Sequence, residues 1–418
     1  MTDLASRTVL PLRSGRLGDR VAGLLLGELS RLPGPKSGLL VGVPTGCPVL
    51  AGALAGLSPG DTLTVLPDAG SMDAQAAVGD QVTGEGDGVG ERVQVLTSLR
   101  DAKPSDVVIV AQPLSGSATD VAALLDELRE LVAPGGVLVV AAPARPGDAA
   151  GLELRDLADR HGVGTDLVVR HRPPLRVHRL RFTPAEPLVA DRLTPVTRPS
   201  SVPLAGGMNL DSNGVAAAAV CAGLALLTRR ARPSSKLWLV PALAALPVAA
   251  FFRDPERTVP DDESAVVAAS DGTVLSIEQL HDDKFGVGDG EWLRIAVFLS
   301  VLDVHINRAP VAGRVIEVFR ERGGYAPAMK AAAEHNVAAY TVLESGHGPV
   351  VVAQRTGLVA RRIVHRAPAG ALIARGERFG LIRFGSRTDV YLPAGAAEAL
   401  VAPGDKVAGG ASVIARWR

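Results

Sequence analysis

Arg378-Phe-Gly-Leu-Ile-Arg-Phe-Gly-Ser-Arg-Thr-Asp-Val-Tyr-Leu-Pro393 holds two short β-forming runs, Gly380–Phe384 and Asp389–Leu392, either side of Gly385-Ser386. Glycine takes backbone conformations closed to other residues, so the pair by itself reads as a β-turn. The same texture continues on both sides. Val266–Ala269, Leu293–Leu299, Gly313–Phe319, Val350–Arg355 and Leu358–Val364 are short Val-, Ile- and Arg-rich runs bounded by Gly and Pro, which predicts strands. One helix is predicted over Ala328–His335, and two strands round a Gly-rich turn over Val401–Ile414. Residues 253–418 are therefore expected to form a β-rich α+β domain.

Upstream lie two apolar stretches, Val215–Leu227 and Leu237–Phe252, joined by a segment with Arg229, Arg230, Arg232, Lys236 and no acid. Each spans roughly 20–24 Å as helix, against a hydrocarbon core of about 30 Å, and Pro241 and Pro247 are expected to break the second. The sequence alone allows a buried hairpin of a soluble core. It also allows a membrane-associated hairpin over 213–252 that dips into one leaflet, its basic turn facing anionic headgroups on the cytoplasmic side of the cell membrane. Residues 184–212, rich in Pro, Thr, Ser and Gly, read as a linker.

Residues 1–183 alternate apolar runs with amphipathic ones. Val107–Ala111 reads as a buried strand, Asp120–Val132 as a helix, Ala133–Gly136 as a turn and Val137–Ala142 as another strand. That succession predicts an α/β domain with a mostly parallel sheet. Leu167–Arg170 and Arg176–Phe182 are expected to close it as a strand pair. The formal net charge of the chain is zero, so no global field draws it to nucleic acid. Cys47 and Cys221 form neither a disulfide framework nor a zinc spacing, and no metal is expected. Met1–Arg20 mixes charges without an apolar core, so no secretory signal is expected there.

Gly385-Ser386 gains meaning from an ordered series. Phe251-Phe-Arg-Asp-Pro-Glu-Arg257 comes first, then Ala269-Ser-Asp-Gly-Thr-Val274, Phe298-Leu-Ser-Val-Leu-Asp-Val-His-Ile-Asn-Arg-Ala-Pro-Val-Ala-Gly-Arg-Val315, Ala360-Arg-Arg-Ile-Val364 and Arg378–Pro393. The series resembles the phosphatidylserine decarboxylase family, in its shorter prokaryotic branch, over about 250–418. The resemblance implies a proenzyme that cuts itself between Gly385 and Ser386 into a larger β chain and a small α chain. Ser386 would become a pyruvoyl group that forms a Schiff base with phosphatidylserine, releasing CO2 to leave phosphatidylethanolamine. It further implies that Asp271 supports self-cleavage and that His305 moves protons. The residue types suit those tasks. A strained Gly–Ser amide exposes its carbonyl carbon to the Ser hydroxyl, His is a base near neutral pH, and a carboxylate can orient an imidazole. Taken singly, His305 reads as a satisfied histidine at a strand end and Asp271 as a turn residue.

Departures from the family pattern touch the site. Longer members carry Leu-Gly-Ser-Thr, where this chain has Phe384-Gly-Ser-Arg387. They carry a second histidine where Arg308 stands, and Asn-Glu-Arg where Asn336-Val-Ala stands. Two alternatives are a pyruvoyl decarboxylase acting on another amine and an inactive membrane scaffold. A biotinyl-type carrier is disfavoured, since Lys406 lies in Gly-Asp-Lys-Val rather than a Met-Lys-Met tip. Homo-oligomer formation is open. Val41-Gly-Val-Pro-Thr-Gly46 and Ala133-Pro-Gly-Gly-Val-Leu-Val-Val140 resemble class I S-adenosylmethionine methyltransferases. Pro44 stands for the middle glycine, Leu40 stands where an acid is usual, and Asp68 could face a ribose but reads rather as a turn residue. The domain is expected to be degenerate, without S-adenosylmethionine.

Overall fold

The computed structural model describes residues 10, 12, 17–68, 72–84, 88–169, 171–195, 201–203, 208–358, 362–383 and 386–418. Two compact units divide between Thr194 and Pro195.

The first unit runs α1 (Asp19–Arg31), β1 (Ser37–Val43), α2 (Pro48–Ala55), β2 (Thr62–Pro67), α3 (Met72–Gly84), β3 (Val93–Val95), β4 (Ser105–Val110), α4 (Ala118–Glu130), β5 (Val132–Pro143), α5 (Ala149–His161), β6 (Gly162–Val168), β7 (Leu175–Leu180) and α6 (Leu188–Asp191). Its sheet has the order β3-β2-β1-β4-β5-β7-β6, with only β7 antiparallel to its neighbours. Leu39–Val41 and Val107–Val110 are fully buried, as a parallel sheet covered on both faces requires. In α4 the buried residues Val121, Leu124, Leu125 and Leu128 fall at helical spacing, and Ser117 caps the start by accepting from Asp120 N at 3.2 Å. The predicted turn at 133–136 is instead a bulge inside β5. Register jumps there from Ser105↔Val132 to Val107↔Val137, and Gly135 has φ +76°. Arg170 lies outside the described residues.

The second unit begins inside the expected linker. β8 (Ser201–Pro203) and β9 (Met208–Asp211) pair with each other, and β9 pairs with β10 (Arg253–Pro255). The composition suited a linker, but Asp254 at the partner strand is fully buried and fixes that ladder from the far side. Between β9 and β10 rise α7 (Ser212–Ala231) and α8 (Leu239–Phe251). At 20 residues α7 is about 30 Å long, longer than the sequence suggested. Its polar ends, Ser212–Gly214 and Thr228–Ala231, continue the helix. It is long and apolar enough to cross a membrane by length and composition, and only 11% of its apolar window is buried. The buried-hairpin reading is therefore not what the structure shows. α8 is unbroken. Pro241 falls in its first turn, where no partner for its nitrogen is needed, and Pro247 lies inside it.

The remaining strands are β11 (Ala265–Val267), β12 (Gly272–His281), β13 (Glu291–Leu299), β14 (Ile306–Arg308), β15 (Gly313–Glu321), β16 (Ala338–Ser345), β17 (Gly348–Arg355), β18 (Ile363–His365), β19 (Leu372–Ile373), β20 (Arg378–Ile382), β21 (Ser386–Pro393), β22 (Ala397–Ala399), β23 (Lys406–Val407) and β24 (Val413–Trp417). Eight form one sheet, β19-β15-β16-β17-β21-β13-β12-β23, and β14-β20-β18 and β11-β24-β22 form two smaller ones. Phe285, Trp292, Tyr340 and Tyr391 pack together on the large sheet. The helix predicted over Ala328–His335 shortens to a 3-10 turn, Ala331–His335. The predicted C-terminal hairpin does not form. β23 pairs with β12 while β24 pairs with β11 and β22. Gly409 explains the divergence, because a Cβ there would stand 2.9 Å from Ser270 Cα, so the chain bends away against that backbone.

Candidate active site

Ser386 is the first residue of β21, the fifth strand of the large sheet, and pairs with Leu299 at the end of β13. One row further, Arg387 pairs with Phe298, which pairs with Thr273. Gly272 thus lies level with Ser386 across two strand spacings, about 10 Å. Asp271 immediately precedes it. Gly272 has φ +152°, and a Cβ there would stand 2.1 Å from Phe298 O. Only glycine lets the Asp271 segment cross so close to β13.

Ser386 is fully buried, and its Oγ has no hydrogen-bond partner among the described residues. A buried hydroxyl is ordinarily paired, so this atom stands out. Its neighbours hold the strand tightly. Thr388 Oγ1 and Ser270 Oγ are 2.7 Å apart. Asp389, fully buried, accepts from Arg387 Nε at 2.5 Å and from Arg355 Nε at 2.7 Å. Burial alone would raise the Asp389 pKa, and the two guanidiniums overcome it to hold the carboxyl below its usual range. Gly385 and Phe384 lie outside the described residues.

His305 follows a turn, Ser300–Asp303, that leaves the end of β13. It is 2% exposed. Its Nδ1 is 2.9 Å from Asp303 O, its ring lies 4.2 Å from that of Phe251, and its carbonyl accepts from Ile382 N at 3.3 Å. The last bond places the His305 backbone beside the residue that leads into the Gly385-Ser386 segment. Burial drives its pKa down to about 4 against the opposing pull of the Asp303 carbonyl and charge, with Arg253 adding to the fall. The imidazole is therefore neutral at physiological pH.

Asp271 sits at the same end of the sheet but makes different bonds from those its chemistry suggested. Its Oδ2 accepts from Arg257 Nη2 at 2.7 Å and its Oδ1 from Gly409 N at 2.8 Å. Burial raises its pKa despite these bonds, and the charge of Asp303 adds to the rise. Asp303 thus bears on both His305 and Asp271. The sequence reading missed it, since Val301-Leu302 lacks the residues that ordinarily mark a turn. It also missed the Arg355–Asp389 and Ser270–Thr388 pairs, whose members are distant in sequence.

Arg308, in the place of the second histidine, is buried and fully engaged. It donates to Asp254 Oδ1 at 3.0 Å, to Pro255 O at 2.9 Å and to Gly376 O at 3.2 Å. Burial and Arg378 lower its pKa to about 10, against the pull of Asp254, so it remains a cation and anchors β10 rather than taking protons. Asn336 is likewise a staple. It bonds Ala326 N at 2.7 Å, Ala326 O at 2.8 Å and Thr356 O at 2.8 Å.

Comparison with known proteins matches residues 245–415 to the family "Phosphatidylserine decarboxylase". Two relatives bear the name phosphatidylserine decarboxylase proenzyme. One, from Carboxydothermus hydrogenoformans, is 41% identical over 181 residues, 43% of this chain and 84% of that protein. The other, from Symbiobacterium thermophilum, is 48% identical over 180 residues, 41% of this chain and 80% of that protein. Among solved structures, an O-methyltransferase from Bacillus cereus is similar at 14% identity and a TM-score of 0.31, covering 41% of this chain and 84% of its own. Identity of this order across four-fifths of the length of both relatives, with the family match falling on the unit that holds Ser386, His305 and Asp271, means that the chain belongs to the phosphatidylserine decarboxylase family.

Proposed function

We propose that this chain is a proenzyme that cuts itself between Gly385 and Ser386 and then decarboxylates phosphatidylserine to phosphatidylethanolamine at a membrane surface. The observation that carries the reading is the Ser386 Oγ, unpaired among the described residues and buried at the head of a strand whose next three residues are each pinned. A buried hydroxyl without a partner among the described residues is a poised nucleophile. In the uncut chain it attacks the Gly385 carbonyl, and the amide becomes an ester with the Ser386 nitrogen freed. Loss of the Cα proton expels the Gly385 carboxylate and leaves dehydroalanine, which takes up water and releases ammonia.

His305 is the candidate to hold those protons. It is neutral, its Nδ1 is fixed by the Asp303 carbonyl, and its backbone is tied to the segment that ends in Ser386. Asp271 is a positioning residue in this account. It anchors the Gly409 turn and Arg257 at the end of the sheet where cleavage occurs. The pyruvoyl group left on residue 386 supplies an electrophilic carbonyl that accepts electrons as carboxylate leaves the substrate. Burial around Ser386 suits that group by excluding water.

The hairpin supplies the lipid. α7 and α8 expose Leu224, Leu226, Leu227, Leu243 and Leu246, and Arg229, Arg230, Arg232 and Lys236 lie between them. α8, about 20 Å long, is shorter than a hydrocarbon core. Both ends of the hairpin carry charge, so it fits best along one leaflet, on the cytoplasmic face where anionic lipid attracts a basic turn. In the first unit, the end of β1 is closed on one side by the chain itself. A Cβ at Gly42 would stand 2.2 Å from Leu12 Cδ1, so a side chain of the chain itself takes the space of close approach, and Gln112 Nε2 donates to Gly42 O at 2.8 Å. We assign that unit no methyl transfer. Release of labelled CO2 from carboxyl-labelled phosphatidylserine in vesicles tests the function, and retention of all label would refute it.

A further inference from the structure

The turn between β13 and His305 is closed on itself. Ser300 N donates to Asp303 Oδ2 at 2.8 Å, and Asp303 N donates to Ser300 O at 3.0 Å. Its two central residues are Val301, 56% exposed, and Leu302, 82% exposed. Such positions ordinarily carry Gly, Pro, Asn, Asp or Ser. Two large apolar side chains on a tip that the backbone holds rigid are out of place in water.

Their surroundings name a partner. Arg253, the first residue of β10 just past α8, donates to both Leu302 O and Ala250 O, tying the turn to the base of the hairpin. Val304 and Ile306, just past the turn, share an apolar cluster with Phe251 and Phe252, and Val248 of α8 and Ala217 of α7 pack on it. The turn is thus continuous with a hairpin that exposes Leu243 and Leu246 at 66% and 75%. From Ser212 to Arg253 the chain carries five basic residues and no acid, and the carboxylate of Asp303 is occupied inside its own turn.

We infer that the Val301-Leu302 tip is a second lipid-contacting element, dipping into an anionic bilayer surface beside the hairpin. This rests on the reading that the substrate is a bilayer lipid. The turn joins Leu299, the strand partner of Ser386, to His305. A tip seated at headgroup depth therefore sets the buried site against the lipid layer, and a headgroup reaches it without crossing water.

The test uses the full chain carrying V301S and L302S together, with self-cleavage as the check on folding. Vesicles of phosphatidylserine and phosphatidylcholine are sedimented with the parent and the variant. Burial of one Leu corresponds to a factor of roughly ten or more in partitioning. The variant should bind vesicles about tenfold more weakly and need correspondingly more vesicle lipid for half-maximal CO2 release. Its turnover of dihexanoyl phosphatidylserine, kept as dissolved monomer, should match the parent. Unchanged vesicle binding overturns the inference, and so does an equal loss on monomeric and vesicle substrate, which would make the turn part of the reaction site. If the parent decarboxylates neither substrate, the functional reading has failed, while sedimentation still decides the tip.

Discussion

Replacing His305 by Gln should slow self-cleavage by about 10²–10⁴, the usual contribution of a positioned base. The pH profile of the parent is more discriminating. With a pKa of about 4, His305 is roughly 97% neutral at pH 5.5, whereas an ordinary histidine would be roughly 9% neutral. Cleavage by the parent should then be nearly flat from pH 8 to 5.5 and fall only as pH approaches 4. Freshly translated uncut chain, shifted into buffers across this range and followed on denaturing gels, gives the rates. A tenfold fall between pH 7.5 and 5.5 would refute the burial argument, and cleavage of H305Q at the parent rate would refute the role. The same burial has a stability signature. Between pH 6.5 and 4 the unfolded chain binds a proton at this position that the folded chain does not, so acidification destabilises the fold, by about 3 kcal/mol in all. H305Q should lose that part of the acid sensitivity.

Asp389→Asn should cost about 3–5 kcal/mol, because it strands two buried guanidiniums. Calorimetry should show a melting point lower by roughly 6–20 °C, and an unchanged value would contradict the clamp. Since Asp389 titrates below the usual range, its contribution is present above the ordinary carboxylate pKa and lost as pH falls through the depressed folded value. Gly272→Ala forces a Cβ against Phe298 O and should destabilise the fold by about 1–3 kcal/mol, read as a lower urea midpoint, while slowing cleavage; wild-type values for both would show that the segment can move aside. Changing Arg229, Arg230, Arg232 and Lys236 to Ser should weaken binding to anionic vesicles by about 1 kcal/mol per residue, leaving neutral vesicles unaffected, and equal loss on both would refute an electrostatic role.

What the sequence made legible follows from how local each signal is. The strand at Ser105–Val110 declares itself by an unbroken apolar run and the helix at Ala118–Glu130 by its period, each within a dozen residues. The membership of β23 and β24 in different sheets does not, because Gly409 bends the chain against Ser270, distant in sequence. β9 was hidden in linker-like composition, since its partner β10 lies beyond the whole hairpin. In the proposed site, Ser386, His305 and Asp271 were singled out through motif order. The bonds of Asp271 were not, as Arg257 and Gly409 offer no sequence cue to each other. Nor could composition tell that Arg308 is held by Asp254.

The central claim is the chemistry at Ser386. Intact-mass measurement of the purified chain under denaturing conditions tests it most directly, with Ser386→Ala alongside. The account predicts two fragments from the parent, one ending at Gly385 and one beginning at position 386 with a pyruvoyl-blocked terminus, and a single uncut S386A chain. A parent that stays whole, or a small fragment with an ordinary serine at its start, would contradict it.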